Sequence, residues 1–445
     1  MMPRIREKNS RTRFWCLLGL LLALITTRYA LQIDIPRILF LGIITLIALW
    51  GDRDEIIAIC IALIPMHESI DLFYALVICF AVYVFKYHTQ FRFGFNVLLV
   101  IFIAVWELVH CLFTSFSIVF YLTCIIPFII LAILIASDAE NLDYPFVVRA
   151  LAWSVLGVSI MMFIRVLYFA DFNIALALVN LQRMGSDYHS NIEDVEVAGG
   201  QINPNTLGII TVLASTGLMQ LRQMKMSKIS DMILMCTTLV LAALTTSRTY
   251  LVCLALMIVL LLFSEKGGLR KKFRLLLILC STVAITVILF MLLFPDSFAY
   301  YIGRFLVSDL TTGREDLFEM YHEFIVGNPR VLLFGIGLQD FGDRLVNVYR
   351  VAFNAPHNSI QEIIIAWGAP GVIIFAVQFL NMYIASSQKN RSLSLMNWIP
   401  LIIILVKGMV GQTLTSPYTM LTLSFAYLSL CQDFSGKKGL NENSL

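Results

Sequence analysis

Long apolar runs separated by short polar segments dominate this chain of 445 residues. An α-helix needs about 20 apolar residues to cross the hydrocarbon core of a bilayer, and many of the runs approach that length. The apolar fraction is 59% and the charged fraction only 14%, a balance typical of an integral membrane protein. The pattern therefore predicts an all-α polytopic transmembrane helical bundle, with residues 1–445 forming a single membrane domain.

The apolar runs place about fourteen candidate spans along the chain. They cover residues 14–30, 36–50, 55–67, 70–86, 94–113, 117–136, 146–170, 205–221, 230–246, 249–263, 275–294, 359–385, 397–412 and 416–431. No small-residue cleavage site follows the basic stretch Arg4 to Arg13 convincingly, so we expect a retained first helix. The nine cysteines lack metal-binding spacing, and the net charge of +3 is too small to imply nucleic acid.

Short basic segments set the expected orientation, because loops on the cytoplasmic side carry an excess of lysine and arginine. With the N-terminus inside, the inside loops hold Lys86 to Arg92, Arg222 to Lys228, Lys266 to Arg274 and Lys389 to Arg391. Two longer polar segments, 171–204 and 295–358, then fall on the outer side. Loops of this length between packed helices are usually functional or disordered, so we expect the active site there.

His357 opens the one stretch that indicates chemistry. His357-Asn358 is followed by nine residues and then by Gly368-Ala369-Pro370-Gly371. The spacing Ser359-x-x-Glu362 predicts a capping box that starts the next helix and leaves His357 just before its N-terminus. The positive end of that helix favours a neutral imidazole, which is the form that acts as a general base.

The two glycines of this stretch predict close packing. Gly368 and Gly371 stand three residues apart, a spacing that puts small residues on one helix face and allows a neighbouring helix to approach. Pro370 between them predicts a bend in the span. In the first outer segment, Asn203-Pro204-Asn205 is expected to cap the helix that follows.

Three arginines in the outer segments and turns, Arg183, Arg248 and Arg314, could bind a diphosphate without metal. Guanidinium groups pair bidentately with phosphate oxygens and keep their charge at any physiological pH. Each arginine also has an ordinary interpretation, since Arg248 could mark a helix end and the other two could be solvated loop charges. Four further arginines share the second outer segment and could take the same role: Arg304, Arg330, Arg344 and Arg350.

A family resemblance rests on these residues. The run from His357-Asn358 to Gly371 resembles the signature of the O-antigen ligase and polysaccharide polymerase family: a histidine, then Asn, Ser or Gln, nine residues, and Gly-x-x-Gly. Supporting segments are Arg183 upstream of Asn203-Pro204-Asn205, Thr246-Ser247-Arg248, and Gly313-Arg314. Family members more often have about twelve spans, whereas the apolar runs here indicate about fourteen, so we expect about 12–14 spans. The resemblance implies a C-type glycosyltransferase architecture for this bundle.

The resemblance implies a metal-independent, cofactor-free, inverting glycosyltransferase in the bacterial cytoplasmic (inner) membrane. Its partners would be a polyprenyl-diphosphate-linked glycan, the lipid bilayer, a chain-length regulator and a flippase, and no nucleic acid. His357 would be the catalytic base on the extracytoplasmic side. Arg183, Arg248 and Arg314 would bind the diphosphate, while Asn358, Gly368 and Gly371 would be structural members of the motif.

Two choices stay open at the level of sequence. A polymerase adds the growing chain to the next lipid-linked repeat unit of an O-antigen, capsule or exopolysaccharide, whereas a ligase transfers a finished chain to lipid A core or another acceptor. We favour the polymerase because more family members serve such systems. A flippase or secondary transporter is the alternative of another class, with charged residues such as Glu107 and Lys407 marking a transport path. Glu107 and His110, both within the fifth span, are expected to line a polar cavity.

Overall fold

The computed structural model describes most of the chain. The described residues are 2–67, 69–87, 95–113, 142–174, 203–245, 247–264, 314–339, 341–352, 356–387, 395–409 and 417–432, with isolated helical residues between 270 and 303. The predicted span 117–136, most of the span 275–294 and most of the first outer segment lie outside the described residues. Arg183 and Arg304 lie outside them as well.

Every regular element within the described residues is helical, which confirms the all-α class. The helices are α1 (Met2–Tyr29), α2 (Arg37–Trp50), α3 (Arg53–Ala62), α4 (Leu72–Tyr87), α5 (Phe95–Leu112), α6 (Tyr144–Phe169), α7 (Pro204–Gln223), α8 (Ile229–Ala243), α9 (Arg248–Ser264), α10 (Arg314–Gly327), α11 (Pro329–Phe334), α12 (Ser359–Ser387), α13 (Leu395–Met409) and α14 (Pro417–Leu430). A 3-10 turn, Ile64–Met66, follows α3. Apart from α10 and α11, which lie in the large polar segment, each helix corresponds to one predicted apolar run.

Several helices begin where a short polar side chain satisfies the free backbone N–H groups of the first turn. Asp52 and Glu55 form a complete capping box at the start of α3. The side chain of Asn203 accepts from the backbone N–H of Asn205 at 2.9 Å, with Pro204 as the first residue of α7. The prediction that this tripeptide caps the helix is therefore confirmed.

One end of the bundle, called the Arg11 end below, holds the starts of α1, α3 and α6. Arg11 pairs there with Asp143 and lies 3.8 Å from Asp54. Arg149, near the start of α6, contacts Asp231 at 3.0 Å at the start of α8. These ion pairs fix the relative positions of helix ends that are far apart in sequence.

Helix α7 runs away from the opposite end, called the His357 end below, towards the Arg11 end. In its last turn, Gln220 accepts a hydrogen bond from Tyr144 of α6 and donates to the carbonyl of Met396, at the start of α13, at 2.8 Å. The start of α7 and the end of α13 therefore lie at the His357 end.

Two helices within the described residues are long and apolar enough to cross a bilayer, Tyr144–Phe169 and the Ser359–Asn381 part of α12. Further apolar helices, of 10 to 17 residues, are Arg37–Trp50, Leu72–Tyr87, Leu98–Leu112, Ile229–Ala243, Arg248–Ser264, Leu395–Met409 and Leu421–Leu430. The exposed surface carries many large apolar side chains, Phe85 and Phe113 among them. The multi-pass arrangement itself stays a prediction.

The large polar segment before His357 is folded wherever it is described. It contains α10, α11 and a helical turn, Phe341–Asp343, that continues as the π-helical turn Arg344–Val348. Its buried apolar side chains form a small separate core together with Ile365 of α12. The members from the segment are Tyr321, Ile325, Val331, Ile336, Leu345 and Val351. The segment therefore packs as a unit against α12 and brings the chain to His357 along a defined path.

Candidate active site

His357 lies directly before α12, as the sequence predicts. Its side chain is exposed, while its neighbours Pro356 and Asn358 are both buried. The backbone of His357 has a φ of 50°, in the left-handed region that few residues other than glycine adopt readily. Such a conformation persists when the surrounding structure fixes it, and the two buried neighbours provide that constraint.

Asn358 is the N-cap of α12. Its side-chain oxygen accepts from the backbone N–H groups of Ile360 at 3.0 Å and Gln361 at 3.2 Å. Its side-chain amide donates to the carbonyl of Met409, the last residue of α13, at 3.1 Å. The predicted capping box that starts at Ser359 is therefore wrong by one residue, because Asn358 already supplies the capping oxygen and Ser359 is the first helical residue.

Asn358→Ala should lower stability, and Asn358→Asp should lower it less. Alanine removes the cap, a loss of about 1 kcal/mol, and also the bond to Met409, a further loss of about 1 kcal/mol. Aspartate keeps the capping oxygen and adds a negative charge that the helix N-terminus favours, but it turns an acceptor oxygen towards the Met409 carbonyl in place of the donor. The thermal unfolding midpoints of the purified variants, measured in one detergent, give the order of stability. Equal midpoints for the two variants would contradict the idea that Asn358 both caps α12 and bonds to Met409.

Arg248 is the first residue of α9 and is half-buried. The preceding residue, Ser247, caps the helix by accepting from the N–H of Tyr250 at 3.1 Å, and it donates to the side chain of Asn205 at 2.6 Å. This bond joins the starts of α7 and α9. Because α9 packs along α13, whose end is bonded to Asn358, Arg248 belongs to the same group of helix ends as His357.

Arg314 is the first residue of α10. The carbonyl of Phe318, one turn later, accepts from the side chain of Gln361 in the first turn of α12 at 2.8 Å. The start of α10 therefore lies beside the start of α12, where His357 stands.

The described members of the predicted site thus belong to helix ends linked by direct contacts, while Arg183 lies outside the described residues. Of the alternative arginines, Arg330 and Arg350 are exposed. Arg344 is half-buried and donates to the carbonyl of Ile336.

Gly368 breaks α12, as Pro370 predicts. Its φ of 64° and ψ of −157° are not helical. A Cβ atom on Gly368 would lie 2.6 Å from the backbone of Leu333 and Phe334 at the end of α11. Only glycine allows both this conformation and this close approach of two backbones.

The helix break leaves backbone carbonyl groups of α12 without partners inside the helix, and the segment after α11 donates hydrogen bonds to them. The carbonyl of Ile365 accepts from Ile336 N at 2.8 Å, and that of Ala366 accepts from Gly337 N at 2.7 Å. Buried backbone groups need such partners, so the break in α12 and the segment after α11 stabilise each other.

The prediction that Gly368 and Gly371 share one packing face is wrong. A Cβ atom on Gly371 would lie 2.6 Å from Trp367 Cβ and 3.1 Å from Ile363 Cγ2, both within α12 itself. Gly371 therefore makes room for the helix's own side chains next to the break, whereas Gly368 receives the end of α11. The bend changes which way successive residues face, and this is why the straight-helix pattern fails here.

Glu107 of α5 is the residue whose role the sequence does not reveal. Its side chain is fully buried, and one carboxylate oxygen accepts from Leu338 N at 2.9 Å and Gln339 N at 3.3 Å. The other accepts from the indole N–H of Trp367 at 2.7 Å. A carboxylate in an apolar helix is a signal of function or of a polar partner, but only the structure identifies these donors.

Two more side chains of α5 complete this contact. His110 Nε2 lies 2.9 Å from the carbonyl of Phe334, and Trp106 donates to the carbonyl of Trp367 at 3.2 Å. The predicted polar cavity at Glu107 and His110 is thus replaced by a packed junction between α5, the end of α11 and the break in α12.

This end of the protein combines the exposed imidazole of His357 with two arginines, Arg248 and Arg314, that are the first residues of adjoining helices. An imidazole at a helix start can take a proton from a hydroxyl group, and arginines can stabilise an anionic leaving group. The arrangement suits a group transfer in which an anion departs.

Residues 233–376 match the family described as O-Antigen ligase. The matched residues make up about a third of the chain and include Arg248, Arg314, His357 and both motif glycines, but not Arg183. No curated protein sequence matches the chain significantly. The match over these residues bears out the family resemblance drawn from the His357 segment, and it supports a membrane glycan-processing function of the glycosyltransferase type.

Proposed function

We propose, from the match of residues 233–376 to the family described as O-Antigen ligase, that the protein polymerises polyprenyl-diphosphate-linked repeat units into a surface polysaccharide. The observation that carries the proposal is the placement of His357. Its side chain is exposed at the start of α12, so an acceptor can approach it, and its two buried neighbours, Pro356 and Asn358, hold its backbone in place.

In this reaction His357 takes the proton from a sugar hydroxyl of the acceptor. The hydroxyl oxygen forms a bond to the anomeric carbon of the donor sugar while the bond from that carbon to the diphosphate oxygen breaks. The electron pair leaves with the polyprenyl diphosphate, and a single displacement of this kind inverts the anomeric configuration. Arg183, Arg248 and Arg314 stabilise the negative charge that grows on the diphosphate.

Arg248→Lys should lower glycan transfer at least about tenfold, because an ammonium group cannot make the planar two-pronged contact of a guanidinium. Arg37→Lys is the matched control, since Arg37 also starts a helix and pairs with Asp71 at 3.2 Å, outside the proposed site. We expect the control to keep wild-type transfer. Wild-type turnover by Arg248→Lys would remove Arg248 from the site.

The distribution of basic residues supports the placement of this site outside the cytoplasm. The short loops at the Arg11 end and the helix turns next to them carry Lys86, Arg222, Lys225 and Lys228, whereas Arg314, Arg330, Arg344 and Arg350 lie in the long segment 295–358, to which the positive-inside rule gives little weight. A multi-pass protein with this bias orients that end towards the cytoplasm, so His357 faces the opposite compartment of a bacterial inner membrane.

A ligase is the second candidate, because the matched family carries that description. It would use the same donor and the same base but a different acceptor. The transporter alternative loses support from the contacts of Glu107, whose two oxygens bind the protein's own N–H groups in a packed junction.

The products of purified protein in liposomes discriminate among these functions. A polymerase given one defined lipid-diphosphate repeat unit makes a ladder of products, which is the result we expect. A single transfer that requires lipid A core or another added acceptor would identify a ligase. Movement of the intact lipid-linked glycan across the bilayer without transfer would contradict both enzymes and favour a flippase.

A further inference from the structure

Glu107 connects two parts of the chain that lie on either side of His357. Its carboxylate accepts from the backbone of Leu338 and Gln339, before His357 in sequence, and from the indole of Trp367, ten residues after it. The chain between Gln339 and Trp367 therefore forms a loop whose two ends meet at one side chain. His357 lies on that loop.

The buried hydrogen bonds of Glu107 stabilise the junction between α5, the segment after α11 and α12. The acid is fully buried, and all the hydrogen-bond partners given above are N–H donors, so both of its oxygens act as acceptors. Removing the carboxylate would leave the buried N–H groups of Leu338 and Trp367 without this acceptor, which is costly in an apolar surrounding.

A positive charge lies close to this junction. The guanidinium of Arg344 donates to the carbonyl of Ile336, two residues before Leu338, and interacts electrostatically with Glu107. Arg344 itself belongs to the loop that Glu107 closes. The same tether therefore also orients one of the alternative cations of the site.

We propose that Glu107 is a positioning residue for glycosyl transfer, which closes the loop from Gln339 to Trp367 and thereby fixes the place of His357. The inference rests on the proposed function of His357. Glu107 acts through the loop and not on the substrate, since its side chain is fully buried and both of its oxygens are engaged by the protein.

Glu107→Gln tests this role. The amide keeps the size of the side chain but has only one acceptor oxygen, so its NH2 group must face either the N–H of Leu338 or the indole N–H of Trp367, and one of these hydrogen bonds is lost. We expect turnover to fall about 10- to 100-fold, the effect of a small misplacement of a catalytic group. The donor KM should stay within about threefold, because Arg183, Arg248 and Arg314, which bind the diphosphate in the proposed reaction, lie outside the loop that Glu107 closes. Amide hydrogen exchange should become faster at Leu338 and Gln339.

Glu55→Gln is the matched control. Glu55 is also a buried carboxylate that accepts a backbone N–H, from Asp52 at 3.0 Å, but it caps α3 at the Arg11 end. We expect it to alter stability while turnover and exchange at Leu338 stay at wild-type values. Equal losses of turnover in the two variants would mean a general effect of buried charge and would overturn the positioning role.

Trp367→Phe gives a second test that does not depend on the folding of Glu107→Gln. It keeps an aromatic ring, removes the donor to Glu107 and leaves a small cavity, because Trp367 is fully buried. We expect a smaller loss of turnover in the same direction with an unchanged KM, and the unfolding midpoint measures the effect of the cavity. Wild-type turnover in both variants would overturn the inference. An inactive wild-type protein would instead refute the proposed function, so the two failures are distinguishable.

Discussion

Replacing His357 with alanine leaves the protein folded and abolishes glycan transfer. The side chain is exposed, so its removal takes little from the packing of the bundle. Loss of a general base lowers turnover by about 10²- to 10⁴-fold. Alanine also tolerates the left-handed backbone less well than histidine, so folding is checked by the thermal unfolding midpoint in detergent.

His322→Ala is the control for this change. His322 is also exposed and lies in the same large segment, on α10, where its ring stacks on Phe318 at 6.4 Å. The control should transfer glycan at the wild-type rate, and His357→Gln, which cannot accept the proton, should be as inactive as His357→Ala. Polymer of normal length from a deletion strain that carries His357→Ala would show that His357 is not the catalytic base.

Gly368→Ala should destabilise the protein by about 3 kcal/mol, since a residue with a side chain is strained at this φ. The added Cβ would also lie 2.6 Å from the backbone of α11, which cannot move away as a flexible side chain would. We expect the end of α11 to detach from α12, and transfer to fall with it because the loop that carries His357 loses one of its fixed ends.

Gly42→Ala separates this effect from the general effect of a methyl group. Gly42 lies within α2, and a Cβ there would meet nothing within 4 Å. This control should be neutral or slightly stabilising, because alanine favours a helix over glycine. A Gly368→Ala protein with the stability of Gly42→Ala and full transfer would contradict the close approach at the helix break.

The positions of the helices could be predicted from sequence because the apolar runs and the helices have the same physical cause. The run 146–170 corresponds to the helix Tyr144–Phe169, and the run 359–385 to Ser359–Ser387. Ends marked by Asn and Pro, such as Asn203-Pro204, could be placed to the residue, since these side chains act on the backbone next to them.

Contacts between distant segments could not be predicted in the same way. The sequence indicates that Glu107 is unusual, but not that its partners are the backbone of Leu338 and the indole of Trp367, more than 200 residues later. The spacing of Ser359 and Glu362 predicts the cap of α12 at Ser359, because serine with glutamate three residues on is a common signal. Asn358 fills the role instead and is also bonded to Met409. Tertiary contact decides between two adjacent capping residues of similar propensity.

The anomeric configuration of the product tests the central claim most directly. Purified protein in liposomes receives a polyprenyl-diphosphate glycan of known configuration in the presence of a metal chelator, and the new linkage is analysed by NMR. We predict transfer with inversion at the anomeric carbon, as a single displacement assisted by His357 requires. Retention of configuration, or transfer that stops when the chelator is present, would contradict the account.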